Sequence, residues 1–374
     1  MVLLIGNYPL ERQYSMQRFT TMLLHNLSAA GVAAEIITPR PALGRFFTSS
    51  NLISKWLAYI DKFVLFPRQL RAKLSQRPAV VHICDHSNAM YDAHVKNSPV
   101  VVTCHDLIAV RSALGEEMLH CPVSFTGKLL QRWVLRGLRK ADVIACVSKA
   151  TRSDAQRLVS QNGSSPVLEH VALGYSYPYR KLPKSEILAR LGKVPGLSQP
   201  FVLHVGSNLP RKNRAGVLRI FAAARDKWAG GLVFAGDPLS SELASLAERL
   251  GISDRLFEIK DASEEMLEAL YNGAVALLYP SYSEGFGWPI IEAQACGCPV
   301  ICSNVRPLFE TAGDAGLFHN PDEEQEFTND MLRLNDPNQR AIWSERSLRN
   351  AERFSTSRMT SEYIDIYRRM GARL

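Results

Sequence analysis

The segment 278–302 constrains the fold more than any other part of this chain. It reads LYPSYSEGFGWPIIEAQACGCPVIC, with an apolar run at each end and a glycine-containing loop before a helical stretch. Pro289 suits the first turn of a helix, where its missing N–H is not needed, and Gly297 suits the end of a helix. The pattern therefore predicts strand, loop, helix and strand, the unit from which parallel sheets are built.

Two glutamates, Glu284 and Glu292, lie eight positions apart around Gly285-Phe286-Gly287. We expect Glu284 in the loop before the helix and Glu292 on its first or second turn. Glycines let the backbone approach a ligand closely, and the free N–H groups at a helix start attract phosphate. Carboxylates beside such a site would hold hydroxyls, so the segment predicts a sugar-bearing phosphate ligand. The alternative is an ordinary strand–helix–strand unit with two surface glutamates.

This segment resembles the E-x7-E signature of the retaining glycosyltransferases of family 4 (glycosyl transferases group 1). The similarity continues through ACGCPVI and through Glu310 in FETAGDAGL. The resemblance implies an α/β protein with the GT-B fold, in which two Rossmann-like domains face each other across a cleft. It also implies that Glu310 lies in a turn near the ribose and the phosphates of a nucleotide-sugar.

Length and composition agree with a two-domain globular protein. The chain has 374 residues, of which 46% are hydrophobic and 21% charged, and 374 residues fit two domains of ordinary size. Its longest apolar runs are too short to span a bilayer. The N-terminal MVLLIGNYPL is typical of a first strand rather than a signal peptide. Seven cysteines, several within predicted strands, favour reduced thiols and a cytoplasmic protein.

Positive charge is concentrated in the first half of the chain. Residues 1–180 contain 21 Lys and Arg residues against 11 Asp and Glu, although the net charge of the whole chain is only +8. This imbalance indicates an anionic partner such as a membrane surface, a phosphorylated lipid, a charged glycan or nucleic acid. A solvated basic face is the alternative.

The segment 51–76 combines many apolar and aromatic positions with surrounding lysines and arginines, as interfacial helices do. Pro67 should break or kink this helix. One interpretation is peripheral contact with an anionic membrane. The other is a core helix of the first domain with a basic outer face.

The first domain is expected over residues 1–172, opening with a strand, a loop, a helix and a second strand. Relatives usually carry a glycine pair in the first loop, where this chain has Gly6 and Asn7. Two later apolar runs end in the polar clusters Cys84-Asp85-His86 and Cys104-His105-Asp106, whose spacing matches no standard metal pattern. VVTCHDL resembles the family's His-Asp-Leu turn, which places His105 beside the transferred sugar.

The second domain is expected over residues 201–354, after a linker at 173–200 that is rich in Tyr, Pro, Gly and Lys. A strand at 201–205 is followed by Gly206 and then by Arg211 and Lys212 at the start of a helix at 213–225. A planar fork and a point charge near a helix N-terminus suit a diphosphate. The loop resembles the family's G-x-x-x-x-R-K-N segment, which holds the donor diphosphate. The final segment, 355–374, is expected to be a helix that crosses back to the first domain.

The resemblance implies transfer of a sugar from a nucleoside-diphosphate sugar to a hydroxyl of a glycan or lipid-linked acceptor, with retained configuration. Mannose and glucose donors are the commonest family cases, and surface polysaccharide biosynthesis is the expected context. The implied catalytic residues are His105, Arg211, Lys212 and Glu284. The implied donor-binding residues are Gly206, Arg211, Lys212, Glu284, Gly285, Phe286, Gly287, Glu292 and Glu310.

No Asp-x-Asp pair occurs in the chain, so we expect no divalent cation and no other cofactor. We also expect a cytoplasmic location, with the inner face of the plasma membrane as one option, and no nucleic acid partner. Two alternatives to the transferase remain. One is a sugar-nucleotide epimerase of GT-B fold, and the other is a non-enzymatic basic protein that binds membrane or nucleic acid.

Overall fold

The structure is a computed structural model that describes residues 1–11, 13–46, 52–116, 120–160, 165–197 and 200–373. The chain divides into two compact units. The first consists of Met1–Met118, Pro122–Ser176 and Thr356–Leu374, and the second consists of Leu119–Cys121 and Tyr177–Ser355.

The first unit is built on a six-stranded parallel sheet of order β2-β1-β3-β4-β5-β6. Its strands are rich in valine and isoleucine and mostly buried, as expected for a parallel sheet covered on both faces. The strands are β1 (Val2–Ile5), β2 (Ala34–Ile37), β3 (Val80–Ile83), β4 (Val100–Cys104), β5 (Val143–Cys146) and β6 (Val167–His170).

Helices flank the strands of this first sheet. They are α1 (Tyr14–Ala29), α2 (Leu52–Ile60), α3 (Phe66–Leu74), α4 (Ile108–Ala113), α5 (Phe125–Leu138) and α6 (Lys149–Val159). Between α2 and α3 the chain stays helical as a π-turn, Asp61–Leu65. Of the two outcomes predicted at Pro67, a break or a kink, the break is wrong because the chain remains helical, and the winding changes instead. Because Pro67 has no N–H to donate back along the helix, the winding widens just before it, and the proline occupies the first turn of α3.

The second unit has a six-stranded parallel sheet of order β12-β11-β10-β7-β8-β9. The strands are β7 (Phe201–Gly206), β8 (Gly231–Gly236), β9 (Leu256–Ile259), β10 (Leu277–Tyr279), β11 (Val300–Ser303) and β12 (Gly316–His319). The helices are α7 (Lys184–Leu191), α8 (Arg214–Ala223), α9 (Ser241–Arg249), α10 (Glu264–Gly273), α11 (Trp288–Ala295), α12 (Arg306–Ala312), α13 (Glu324–Arg333) and α14 (Pro337–Ala351).

The stretch 173–200, predicted as a linker, contains helix α7, and its described residues from Tyr177 onwards belong to the second unit. Arg190 of α7 donates from Nη1 to Glu268 Oε2 at 2.8 Å, and the Leu182 N–H donates to Asn272 Oδ1 at 2.8 Å. Prolines and glycines on both sides of α7 concealed its helical spacing in the sequence. In the part of the chain that the structure describes, no helix is long and apolar enough to cross a membrane.

The last helix, α15 (Thr356–Arg369), belongs to the first unit and is joined to its sheet by buried hydrogen bonds. Tyr367 OH lies 2.6 Å from His82 Nδ1, and His82 Nε2 lies 2.7 Å from Thr103 Oγ1. The same Thr103 oxygen lies 2.7 Å from Tyr363 OH. Burial lowers the pKa of His82 to about 3, so the imidazole is neutral and each ring nitrogen has a hydroxyl partner.

This network predicts that Tyr367→Phe destabilises the first unit. The substitution keeps the ring but leaves His82 Nδ1 without its partner, which should lower the free energy of unfolding by about 1–3 kcal/mol. Denaturant unfolding followed by circular dichroism measures the change. Tyr14→Phe is the matched control because the Tyr14 ring is exposed, and it should unfold like the parent chain. Equal stability of the Tyr367→Phe variant and the control would contradict this account.

Candidate active site

A single left-handed residue shapes the loop that follows β7. After a 3-10 turn, Pro210–Lys212, Asn213 adopts φ 51° and caps helix α8, its Oδ1 accepting from the Gly216 N–H at 3.0 Å. Asparagine tolerates this conformation better than most residues. Its Nδ2 donates to the Pro280 carbonyl at 3.1 Å. Asn213 therefore fixes the basic turn against the loop that follows β10.

Further hydrogen bonds hold the loop after β10 in place. The Tyr282 N–H donates to the Arg211 carbonyl at 2.8 Å, so the two loops are also joined through their backbones. Thr311 Oγ1, on α12, donates to the Phe286 carbonyl at 2.7 Å. Both bonds are formed at the carboxyl edge of the second sheet, where ligands of open α/β sheets bind.

Gly287 makes the turn from this loop into α11. Its φ is +94°, and a Cβ atom there would lie 2.9 Å from Leu308 Cδ2, so only glycine fits without strain. Pro289 lies in the first turn of α11, as the sequence predicted. Glu284 lies in the loop before this helix and Glu292 on its second turn, also as predicted.

Two cations share one buried carboxylate at this edge. Arg211 Nη1 donates to Glu284 Oε2 at 2.9 Å and to the Ser283 carbonyl at 3.0 Å. Lys212 Nζ donates to Glu284 Oε1 at 2.6 Å and to Tyr279 OH at 2.7 Å. Burial alone would raise the pKa of Glu284, but the charges of Lys212 and Arg211 outweigh it and lower the pKa to about 2. Glu284 is therefore ionised, and the three side chains together carry one net positive charge.

A third cation, Arg214, lies at the same sheet edge, and the sequence did not single it out. Its Nη1 donates to the Asp237 carbonyl at 2.8 Å, and its guanidinium carbon lies 4.5 Å from the ring centroid of Phe234. Burial lowers the pKa of Arg214 to about 10. Among the described residues, its Nε and Nη2 find no hydrogen-bond partner. The one sequence feature that could have indicated a role for Arg214 is its position directly after Arg-Lys-Asn. In the predicted helix at 213–225 it resembled any other helix residue.

Gly206 ends β7 beside Lys212. A Cβ atom there would lie 3.4 Å from His204 Nε2 and 3.7 Å from Lys212 Cδ, which are ordinary contacts. Packing within the described part of the protein therefore does not require this glycine. His204 Nδ1 lies 2.9 Å from the Leu278 carbonyl, and burial lowers the pKa of His204 to about 3, so the ring is neutral.

The remaining candidates of the second unit are less exposed than the sequence indicated. Glu292 is buried, and its Oε2 accepts from Tyr271 OH at 2.8 Å. The Phe286 ring is buried, and its centroid lies 5.8 Å from that of the Phe354 ring. The backbone of Phe286 is therefore the part that is available for a ligand. The prediction that Glu310 lies in a turn is wrong, because a helix begins at Arg306, with Pro307 in its first turn, and Glu310 lies within it. Gly285 lies in the loop between Glu284 and Phe286.

In the first unit, His105 follows β4 and is buried. Its Nε2 lies 3.0 Å from the Cys84 carbonyl, and its ring meets that of Phe19 edge-on at 4.9 Å. Burial lowers the pKa of His105, so the ring is neutral at physiological pH. With Nε2 donating to the carbonyl, Nδ1 is an acceptor, and within the described residues it has no hydrogen-bond partner.

Polar side chains surround His105 at the carboxyl ends of β1, β3 and β4. Asn7 Nδ2 donates to Asp85 Oδ2 at 2.5 Å, and His86 Nδ1 lies 3.2 Å from Asp85 Oδ1. Although burial opposes ionisation, the His86 hydrogen bond and charge lower the pKa of Asp85. Asn7 Oδ1 and Asn88 Nδ2 are buried, with no hydrogen-bond partner among the described residues. The sequence singled out neither asparagine as a site residue.

The two edges have different chemistry. The edge of the second sheet carries clustered cations, which suit phosphate oxygens. The edge of the first sheet carries neutral donors and acceptors beside an ionised aspartate, which suit hydroxyl groups. Across the described ranges, no group of three or more His, Cys, Asp or Glu side chains is arranged to hold a metal ion.

Comparison with known proteins places both halves of the chain. Residues 192–349 match the family described as "Glycosyl transferases group 1", and residues 16–163 match "Glycosyltransferase Family 4". The chain is 32% identical over 251 residues to O-antigen chain mannosyltransferase B of Escherichia coli. This match covers 64% of the chain and 64% of that protein, which is less than two thirds of the relative's length.

Solved structures match almost the whole chain. Their sequence identities are low, so these matches show the fold alone. Sucrose-phosphate synthase from Thermosynechococcus elongatus superposes with a TM-score of 0.77 at 20% identity, covering 99% of both chains. Anabaena HepE in complex with UDP and glucose superposes with a TM-score of 0.74 at 16% identity, covering 98% of both chains. The predicted α/β fold of two Rossmann-like domains is thereby confirmed, and the chain belongs to the group 1 glycosyltransferases of GT-B fold.

Proposed function

We propose that this protein transfers a sugar from a nucleoside-diphosphate sugar to a hydroxyl of a glycan or lipid-linked acceptor in surface polysaccharide biosynthesis. The bond between the anomeric carbon and the diphosphate breaks, and a bond to the acceptor oxygen forms. Mannose is the favoured sugar, since the relative from Escherichia coli is an O-antigen mannosyltransferase. We propose retained anomeric configuration, as the family resemblance implies.

The observation that carries this proposal is the convergence of Arg211 and Lys212 on Glu284. A departing nucleoside diphosphate gains negative charge in the transition state, and pre-positioned cations stabilise that charge. In the ligand-free protein Glu284 neutralises part of their charge at 2.6 and 2.9 Å. A bound diphosphate would take over the cations, leaving the carboxylate oxygens of Glu284 to accept hydrogen bonds from the sugar hydroxyls.

Glu292 is proposed to hold the ribose of the donor. The Tyr271 hydroxyl donates to one of its oxygens at 2.8 Å and so fixes the orientation of the carboxylate. Carboxylate oxygens are acceptors only, which matches the paired hydroxyls of a ribose. Gly206, Gly285, the Phe286 backbone and Gly287 would allow close approach of the phosphates, and Glu310 remains a predicted ribose or phosphate contact from α12.

His105 is proposed to act on the transferred sugar. Its unpartnered Nδ1 is a buried acceptor in the described structure, which suits a sugar hydroxyl. Nearby, the Oδ1 acceptor of Asn7 and the Nδ2 donor of Asn88 are also buried without a hydrogen-bond partner among the described residues. We propose a cytoplasmic enzyme, in line with the expectation from its cysteines.

Two other functions would use parts of the same structure. A sugar-nucleotide epimerase of GT-B fold would turn over its donor without an acceptor. A non-enzymatic basic protein would bind membrane or nucleic acid in a salt-dependent manner but would have no affinity for nucleotide-sugars. The cluster of Arg211, Lys212 and Glu284 favours the transferase over the binding protein, because a protein that bound membrane or nucleic acid through surface charge would not need the buried Lys212 and Glu284.

The first prediction concerns donor use. Purified protein incubated with a panel of UDP-, GDP- and ADP-sugars should release nucleoside diphosphate from one donor, and more rapidly with an acceptor glycan. Lys212→Ala and Glu292→Ala should each reduce this release by about tenfold to a hundredfold, the value of a charge-assisted hydrogen bond. Arg219→Ala is the control, because Arg219 forms a partly exposed ion pair with Glu324. If no donor releases nucleoside diphosphate and no donor raises the thermal stability of the protein, the proposal is refuted.

The second prediction is that two variants shift nucleoside diphosphate affinity in opposite directions. Lys212→Ala removes a cation from the phosphate site and should weaken binding about tenfold to a hundredfold. Glu284→Gln raises the net charge facing the phosphates by one and should tighten binding about threefold to tenfold, while slowing sugar transfer. Titration calorimetry with the nucleoside diphosphate measures both, and thermal unfolding checks that each variant is folded. Weaker binding by Glu284→Gln would contradict the prediction and would mean that the carboxylate is needed to hold Arg211 and Lys212 in place.

The third prediction concerns metal ions. With Arg211, Lys212 and Arg214 available to balance the leaving group, transfer should proceed at the same rate after dialysis against EDTA. The measurement is the initial rate of nucleoside diphosphate release with and without chelator, with added magnesium as a comparison. A rate that falls with EDTA and returns with magnesium would refute metal independence.

A further inference from the structure

Two helical segments of the first unit expose large apolar side chains at helical spacing. On α2 and the π-turn, Trp56, Ile60 and Val64 follow one another every fourth residue with 63%, 37% and 48% of their surface exposed. On α5 a second stripe of the same spacing comprises Phe125, Leu129 and Trp133, with 77%, 50% and 39% exposed. Single exposed apolar residues are ordinary, but two regular stripes in one unit indicate a binding surface.

Ring contacts join the two stripes into one surface. The Trp56 ring lies 6.0 Å from that of Tyr59, and Tyr59 lies 5.6 Å from Phe63. The Phe63 ring in turn lies 5.2 Å from that of Trp133 on α5. We name the six residues of the two stripes, with Tyr59 and Phe63 between them, the aromatic face.

The exposed charged side chains of the two helical segments are basic. Helix α5 contains no acidic residue, and Lys128, Arg132 and Arg136 form an exposed basic stripe next to its apolar one. The segment 52–74 contains one acidic residue, Asp61, which is buried and accepts from Tyr8 OH at 2.7 Å. The two helical segments therefore present basic side chains to solvent without any exposed acidic side chain of their own.

We propose that the aromatic face docks the first unit on the surface of an anionic lipid bilayer. Aromatic side chains at a membrane interface bury their apolar rings while their polar edges remain hydrated. Lysines and arginines beside them are attracted to anionic headgroups. A second copy of the chain fits this face poorly, because pairing two such faces would bring the basic stripes of α5 together. This inference does not depend on the transferase function.

The contribution of α5 could not be read from the sequence. The sequence indicates a membrane contact only for residues 51–76. The spacing of residues 125–138 predicts an ordinary basic amphipathic helix. The contact between Phe63 and Trp133 is what brings the second stripe, with three further basic side chains, alongside the first. Docking through both segments adds the three apolar side chains of α5 to the five of the segment 51–76.

The test is co-sedimentation of the full chain with vesicles of phosphatidylcholine, with and without about a third of phosphatidylglycerol. One variant, Phe125→Ser with Leu129→Ser, removes apolar groups that are 77% and 50% exposed, and thermal unfolding checks that it is folded. A second, Lys128→Gln with Arg132→Gln and Arg136→Gln, removes the basic stripe. The matched controls are Leu188→Ser, an equally exposed leucine of the second unit, and Lys181→Gln with Lys184→Gln and Lys193→Gln, which remove the same charge from exposed sites there.

The proposal predicts binding to the anionic vesicles that weakens with salt. The basic-stripe variant should bind about a hundredfold more weakly, and the apolar variant more than about tenfold more weakly. Both controls should bind like the parent chain. Absence of binding to anionic vesicles, or equal binding by both test variants and controls, would overturn the proposal. So would a dimer seen in sedimentation velocity that Phe125→Ser with Leu129→Ser abolishes, since a second copy would then be the occupant of the face.

Discussion

The candidate site depends on one shared ion pair, in which Arg211 and Lys212 both donate to Glu284. Burying the charges of Lys212 and Glu284 is unfavourable unless each has close partners, and here the two loops supply those partners to one another. The turn that carries the cations is held by Asn213 in a left-handed conformation, and the loop that carries the carboxylate is joined to it by the Tyr282–Arg211 backbone bond. Loss of any of these contacts would separate the cations from the carboxylate. The proposed phosphate and sugar contacts would then be lost as well.

The two units divide the proposed chemistry between them. The second presents a positive edge, where Arg214 adds a buried guanidinium to the shared pair. The first presents a neutral edge, where His105 and Asn7 offer buried acceptors beside an ionised Asp85. A diphosphate needs the first kind of surface and a hydroxyl the second. The proposed reaction, which joins a phosphate-bearing donor to a hydroxyl acceptor, needs both kinds of surface in one chain.

The sequence predicted those parts of the site that are formed by local signals. Glu284, Pro289 and Glu292 were placed correctly because glycine, proline and apolar spacing mark the loop and the start of α11. Features that arise from contacts distant in sequence were missed. Arg214 contacts Phe234 of β8 and Asp237, which follows that strand, and Asn7 meets Asp85 because β1 and β3 are neighbours in the sheet. Glu310 was misplaced because the helix around it is short and has a proline in its first turn.

The most direct measurement is a crystal structure of the protein with a nucleoside diphosphate bound. The account predicts phosphate oxygens within hydrogen-bond distance of Arg211 and Lys212, with Glu292 accepting from the ribose and Glu284 released from at least one of its two cations. A diphosphate bound elsewhere, with the Arg211–Glu284 and Lys212–Glu284 pairs unchanged, would contradict it and would leave those ion pairs with a purely structural role.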